Sequence, residues 1–244
     1  MSSQDNLPYL LNESPEFPDP RECLSQPEGL LAVGGDLSRE RLISAYRQGI
    51  FPWYSELEPI LWWSPNPRAV IYPDDVHISK SLRKLLRQKH YRTFINRDFE
   101  KVIQNCANRG VLEGTWITDE MQSAYIALHE IDLAHCVSVY DQEDNLIGGL
   151  YGVSLGKFFF GESMFSRAPN ASKVALVTLA RYLGELGFLM IDCQLPNSHL
   201  LSMGAVKLDR EIFLNQLKQW VDWQQPEGIW LERELTNSLC MDGF

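Results

Sequence analysis

Apolar and polar positions change their period along the chain, and each change marks an element. Leu42, Ile43 and Tyr46 recur at helical spacing, with Asp36 and Ser38 ahead of them as capping residues and Gly49 and Pro52 behind them as stops, which predicts one helix. The chain around it is rich in Pro, Gly and Trp, and five prolines fall from Pro52 to Pro73. That segment breaks too often for long elements, so residues 1–66 read as a small N-terminal domain with a loop-rich joint near 64–68. A second stripe, Leu82, Leu85 and Leu86, follows Ser79 as N-cap and turns its basic residues outward. A short strand over 91–95 and helices over 98–108 and 118–130 come next. The last of these is capped by Thr118 and carries Met121, Ala124, Tyr125 and Leu128 on one face.

Beyond residue 134 the period falls to two. Strands are predicted over 135–140, 146–154 and 157–165, joined by turn chemistry at 141–145 and by a link near Gly156 short enough for a hairpin. A helix over 171–186 stops at Gly187, an apolar strand covers 188–195, and helices near 198–203 and 209–220 close the series. Helices, a three-strand meander, then a helix and a strand crossing back describe an α+β domain over 67–244, built on a mixed, largely antiparallel sheet.

With 244 residues, 45% of them hydrophobic, the chain can bury a full core. Its N-terminus lacks a basic segment followed by an apolar one, and no apolar run reaches the ~18 to 20 residues that span a bilayer, so a cytoplasmic protein away from membranes is expected. Cys23, Cys106, Cys136, Cys193 and Cys240 are odd in number and include no C-x-x-C pair, which suits reduced structural thiols. His129 and His135 stand six apart, not at the i, i+4 spacing of a helical ligand pair, and no metal is expected. A formal charge of −10 argues against a nucleic-acid partner. Residues 80–97 alter that picture, because seven basic residues (Lys80, Arg83, Lys84, Arg87, Lys89, Arg92, Arg97) occur there without an acidic one. Screening over about 8 Å lets a polyanion meet this patch and feel distant carboxylates weakly.

Three strings could carry chemistry. Gly152-Val-Ser154-Leu-Gly156 matches the G-x-S-x-G nucleophile elbow, but that elbow needs a helix after the serine and a strand follows here, so a hairpin serine is the better reading. In the apolar strand 157–165, alternation sets Phe160, Glu162 and Met164 on one face and Phe159 and Phe165 on the other, unless a bulge at Gly161 shifts the phase. A carboxylate there is costly unless it is paired, binds a cation or handles a proton. Asp192 and Gln194, at i and i+2 on the next strand, could share a face, with the carboxylate hydrogen-bonding the Gln amide and orienting its carbonyl. The turn at 166–173 holds Pro169 and Asn170 where a pyrophosphate would want bare amides, which disfavours coenzyme A or a dinucleotide.

Several strings in order give the chain a family resemblance over residues 17–215. They are Gly29-Leu-Leu-Ala-Val-Gly-Gly-Asp36-Leu, Gly49-Ile-Phe-Pro-Trp53, Trp62-Trp-Ser-Pro-Asn-Pro-Arg68, Glu113-Gly-Thr-Trp-Ile-Thr118, Gly161-Glu-Ser-Met-Phe-Ser-Arg167, Asn170-Ala-Ser-Lys173 and Ile191-Asp-Cys-Gln194. On these the sequence resembles the leucyl/phenylalanyl-tRNA-protein transferases. The resemblance implies a small N-terminal domain and a C-terminal GNAT-like acyltransferase domain, with no metal or diffusible cofactor. It implies transfer of Leu or Phe, and less readily Met, from aminoacyl-tRNA to proteins beginning with Arg or Lys, which marks them for degradation. Gln194 would accept a hydrogen bond from the attacking amine, Asp192 would orient Gln194, and Glu162 would supply negative charge for the basic acceptor. Trp53, Trp116, Leu150, Phe159, Met164 and Ile191 would form the pocket for the donor side chain, and Lys80, Arg83, Lys84, Arg87 and Lys89 would grip the tRNA. The family pattern often has Met or Phe at positions 150, 179 and 183, where this chain has leucine.

Overall fold

Short strands separated by prolines pair into a small sheet before the chain enters a larger one. The computed structural model describes residues 7–108 and 117–235. In the first part, β1 (Tyr9–Leu11), β2 (Leu30–Gly34), β3 (Phe51–Pro52) and β4 (Leu61–Trp63) form a sheet of order β1-β2-β4-β3, with α1 (Arg39–Arg47) between β2 and β3. Ser38 is the N-cap of α1, its Oγ accepting the Arg41 N–H, while Asp36 braces the turn ahead by accepting the Ser38 N–H at 2.8 Å.

The second part contains β5 (Arg68–Ile71), α2 (Lys80–Gln88), β6 (Arg92–Ile95), α3 (Phe99–Ala107), α4 (Asp119–His129), β7 (Ala134–Tyr140), β8 (Leu146–Leu155), β9 (Phe158–Ser166) and α5 (Ala171–Glu185). It ends with β10 (Met190–Gln194), α6 (Ser198–Ser202), β11 (Val206–Leu208), α7 (Arg210–Trp220) and β12 (Arg233–Glu234). Among the described residues the large sheet runs β11-β5-β10-β9-β8-β7-β6-β12, mixed in direction because β10 lies parallel to β9 after the α5 crossover. This is the α+β arrangement that the periodicities predict.

In the second part the expected elements fall within a few residues of their predicted ends and three short strands are additional, as are all four strands of the N-terminal sheet, where the sequence predicts only α1. β5 emerges directly from the proline-rich joint, and β11 and β12 have three and two residues, too few to carry a period. The predicted strand over 188–195 begins only at Met190, because the Phe188 amide completes the turn out of α5 on the Leu183 carbonyl, and Leu189 donates to the Lys157 carbonyl just ahead of β9.

Two cores flank the large sheet. One gathers α1, α3, α4 and α7 with Trp62, Phe158 and Phe160, so the N-terminal sheet and the large one share it; the other gathers α2, α5, Phe159, Ile191 and Trp230. The stretch after α7 is anchored here. Trp230 stacks on His135 with ring centroids 4.0 Å apart, and the Gln225 amide donates to Ser154 Oγ at 2.7 Å and to the Gly156 carbonyl at 3.0 Å. Ser154 is thus a hairpin serine held by this segment, and Gly156 makes the turn with φ +54° where a Cβ would lie 2.2 Å from the Trp220 carbonyl.

Candidate active site

The site forms where the sheet's regular pairing fails. β8 and β9 pair Tyr151 with Ser163 and then Gly152 with Gly161, which leaves Glu162 as the extra residue of a bulge. A Cβ at Gly152 would lie 2.1 Å from the Phe160 carbonyl, so the close approach at this bulge requires glycine. The extra residue reverses the phase of β9. Phe160 and Phe165 pack in the first core, while Phe159 and Met164, on opposite faces under strict alternation, both reach the second.

β10 departs from regularity at the same level. Its parallel pairing with β9 runs Met190–Phe158, Ile191–Phe159 and Asp192–Phe160 and goes no further, and its register against β5 shifts between Asp192 and Gln194. Gln194 adopts φ +55°, a left-handed conformation seldom used by residues other than glycine. The i, i+2 expectation therefore fails in one respect: Asp192 Oδ1 accepts the backbone N–H of Gln194 at 3.0 Å, not its side-chain amide. The amide turns instead to Glu162, with Nε2 donating to Oε1 at 3.1 Å.

Asp192 is fully buried and held by Arg68, whose Nε and Nη2 donate to its two oxygens at 2.8 and 2.6 Å. The guanidinium lies 4.9 Å from the Phe51 ring centroid and 4.7 Å from that of Phe213. Two desolvated charges survive there because the pairing is bidentate and flanked by ring faces. Glu162 accepts from Tyr46 OH at Oε1 and Tyr125 OH at Oε2, both at 2.8 Å, and the two phenol oxygens also contact each other. Burial raises the Glu162 carboxyl pKa to about 7; the tyrosine hydrogen bonds oppose this, and the Asp192 charge reinforces it. Burial holds both phenols well above their ordinary range, with the Glu162 charge adding to the effect.

A cavity of about 510 Å³ opens from this corner. Glu162, Ser163, Cys193 and Gln194 give it polar edges, and Leu150, Phe159, Met164, Leu176, Leu179, Ile191 and Leu200 give it apolar walls. Phe51, Pro52 and Trp53 reach it from the N-terminal sheet. Trp53 is 41% exposed and meets Trp63 edge to face at 5.8 Å. The Cys193 thiol is pushed up by burial and by Asp192, so it lines the wall as a neutral group. His199 also lines the cavity, and its pKa is lowered by burial and then by Lys173.

The structure thus gathers Glu162, Gln194, Trp53, Leu150, Phe159, Met164 and Ile191 on one cavity, with Asp192 directly behind it. Trp116 lies outside the described residues. Arg68, Tyr46 and Tyr125 complete the site without being singled out by the sequence: Arg68 appears only within a motif string, and the tyrosines only as core-facing helix positions. Lys80, Lys84 and Arg87 of α2 and its C-cap Lys89 are exposed, and Arg83 is half-buried. The expectation that residues 80–97 lack compensating acid needs correction at one end, since Asp144 pairs with Arg92 at 3.1 Å and Arg97 at 2.5 Å across the sheet edge.

Known proteins match most of the chain. The family described as leucyl/phenylalanyl-tRNA protein transferase matches residues 70–218, and its N-terminal domain matches residues 35–66. The chain belongs to this family. It is 53% identical to the leucyl/phenylalanyl-tRNA–protein transferase of Pseudomonas fluorescens (strain SBW25) over 92% of this chain and 99% of that protein. It is 51% identical to that of Pectobacterium carotovorum subsp. carotovorum (strain PC1) over 94% of this chain and 97% of that one. Among solved structures it is similar to L-PGS from Bacillus licheniformis, with a TM-score of 0.40 and 12% identity over 68% of this chain and 53% of that one, too weak a likeness to bear on substrate. Membership in the leucyl/phenylalanyl-tRNA protein transferase family makes the chain an aminoacyltransferase, and the cavity with its Glu162 and Gln194 edge is its candidate active site.

Proposed function

We propose that the protein moves Leu or Phe, and less readily Met, from aminoacyl-tRNA to the N-terminal Arg or Lys of acceptor proteins, forming a peptide bond and marking the product for degradation in the cytoplasm. The observation that carries this reading is the union of an apolar cavity of about 510 Å³ with a carboxylate and an oriented amide at one end, in a chain of this family. An apolar chamber suits the esterified Leu or Phe side chain. The division into a small domain over 1–66 and a GNAT-like domain over 67–244 is supported by the antiparallel meander β7–β8–β9, the α5 crossover and the parallel return of β10.

An aminoacyl ester is already activated, so the protein must position the amine and remove its proton rather than form a covalent intermediate. Gln194 donates its amide nitrogen to Glu162, which leaves its carbonyl end to accept from the amine. Asp192 fixes the unusual Gln194 backbone and is itself fixed by Arg68. Glu162 brings negative charge toward the basic acceptor. Trp53, Trp116, Leu150, Phe159, Met164 and Ile191 serve the donor side chain. Lys80, Arg83, Lys84, Arg87 and Lys89 bind acceptor-stem phosphates without reading sequence. In support, α2 packs through Leu82 and Leu86 into the same core as Leu176 and Leu179 of α5, which line the cavity. Neither metal nor diffusible cofactor is needed for this chemistry. Among the described residues no three His, Cys, Asp or Glu converge as a metal site would, and no helix is long and apolar enough to cross a membrane.

The test uses purified protein, Leu-tRNA or Phe-tRNA carrying a labelled amino acid, and peptides beginning with Arg, Lys or Glu. Label should enter the Arg and Lys peptides and not the Glu peptide. A folded protein that labels none of them with either donor contradicts the reading.

A further inference from the structure

Resting on the transferase reading above, we infer that Glu162, Tyr46 and Tyr125 form a closed hydrogen-bonded ring that takes up the proton released by the attacking amine. Three oxygen–oxygen contacts define the ring: Tyr46 with Glu162 Oε1 and Tyr125 with Oε2, each at 2.8 Å, and Tyr46 with Tyr125. Each contact needs one proton to be a hydrogen bond. With Glu162 ionised, two phenol protons must serve three contacts, and both are spent on the carboxylate, so the phenol oxygens face each other without one. With Glu162 neutral there are three protons for three contacts. The acid then donates to one phenol, that phenol to the other, and the second phenol back to the carboxyl group. The site is one proton short until Glu162 receives it.

The surroundings keep that capacity near neutral pH. Tyr46 comes from α1, Tyr125 from α4 and the carboxyl from the β9 bulge, with Tyr151 of β8 beside both phenols. From β5 and β10, Arg68 and Asp192 bring opposite charges that largely cancel, leaving burial as the main influence on Glu162. Both phenols hold their protons far more tightly than usual, so they carry a proton round the ring rather than act as bases. His199 is the other base on the cavity wall, but burial and Lys173 weaken it, and Gln194 bonds to Glu162.

The step balances. The acceptor's α-ammonium gives one proton to the Glu162 carboxylate, and its nitrogen forms a C–N bond to the ester carbonyl carbon. The ester C–O bond then breaks, and a second proton from the same nitrogen passes to the departing ribose oxygen. The ring returns its proton to water after product leaves. Proton uptake of this kind accelerates such reactions by roughly 10²- to 10⁴-fold.

The first readout needs no substrate. In protein labelled at the glutamate carboxyl carbons, the NMR signal that is missing from Glu162→Gln should titrate with a midpoint near the value of about 7 set by burial. The midpoint should move in Tyr46→Phe and in Tyr125→Phe. A wild-type midpoint in the ordinary carboxylate range near 4.3 overturns the proposal. The second readout is single-turnover transfer from Leu-tRNA to an Arg peptide against pH. The wild-type rate should rise through the midpoint seen by NMR, and Glu162→Gln should lose that inflection together with about 10²-fold or more of the rate at pH 7. A Glu162→Gln protein that keeps the inflection overturns the ring while leaving the transferase reading intact. A wild type that transfers nothing, yet shows the titration, overturns the transferase reading and removes the amine as the proton's source.

Discussion

Arg68 and Asp192 are both withdrawn from water, so their pairing fixes the Gln194 backbone at a high energetic stake. Arg68→Met removes one partner and strands the other, and it should cost about 3 to 5 kcal/mol in denaturant unfolding. Glu162 has the opposite effect on stability. Its folded pKa of about 7 lies above the unfolded value, so the folded protein binds the extra proton, and stability should fall as pH rises from about 4.5 to 7. The loss is on the order of 3 kcal/mol and should be absent from Glu162→Gln, which a melting series across that range would register. At the cavity wall, Leu179→Phe fills space beside Leu150 and Leu176. It should lower kcat/KM for Phe-tRNA relative to Leu-tRNA by about 10-fold or more, as read by competition between the two donors. Glu162 and Asp192 stand out in the sequence because acids are costly in apolar strands. Their partners do not, since Tyr46, Tyr125 and Arg68 lie 116, 37 and 124 positions away and only the fold brings them together.

Among the elements, α2 is where charge and position can be separated from chemistry. Neutralising Lys80, Lys84 and Arg87 should weaken aminoacyl-tRNA binding and reduce its salt slope by about one for each phosphate no longer neutralised, while turnover at saturating tRNA stays nearly constant. Binding isotherms at several salt concentrations would reveal a slope that does not change, which would remove α2 from the tRNA interface. The helices and the meander are legible in the sequence because each buries a periodic face, as Met121, Tyr125 and Leu128 do on α4. The β9 bulge is legible only as an alternative hanging on Gly161. The left-handed Gln194 is not legible at all, because nothing about a glutamine announces φ +55°. That one residue redirects the amide from Asp192 to Glu162 and changes which carboxylate orients it.

At the scale of the whole molecule, the N-terminal sheet is part of the site: Phe51, Pro52 and Trp53 line the cavity, and Tyr46 reaches Glu162. The shared core explains this, since Leu42, Tyr46 and Trp62 pack with Phe99, Tyr125 and Phe160 in one continuous cluster. The segment after α7, which carries no motif, seals the opposite core through Trp230 and pairs β12 with β6. These parts converge on one arrangement at the end of an apolar chamber, a glutamine whose backbone N–H is held by Asp192 and whose side-chain amide is held by Glu162. Gln194→Ala removes the amide while leaving the Asp192 contact to the backbone N–H in place. Measured side by side, single-turnover transfer of Leu to an Arg peptide should fall by about 10²-fold while the Kd for Leu-tRNA stays within about twofold of wild type. Unchanged transfer, or a loss that saturating tRNA restores, would contradict the assignment of Gln194 to the attacking amine.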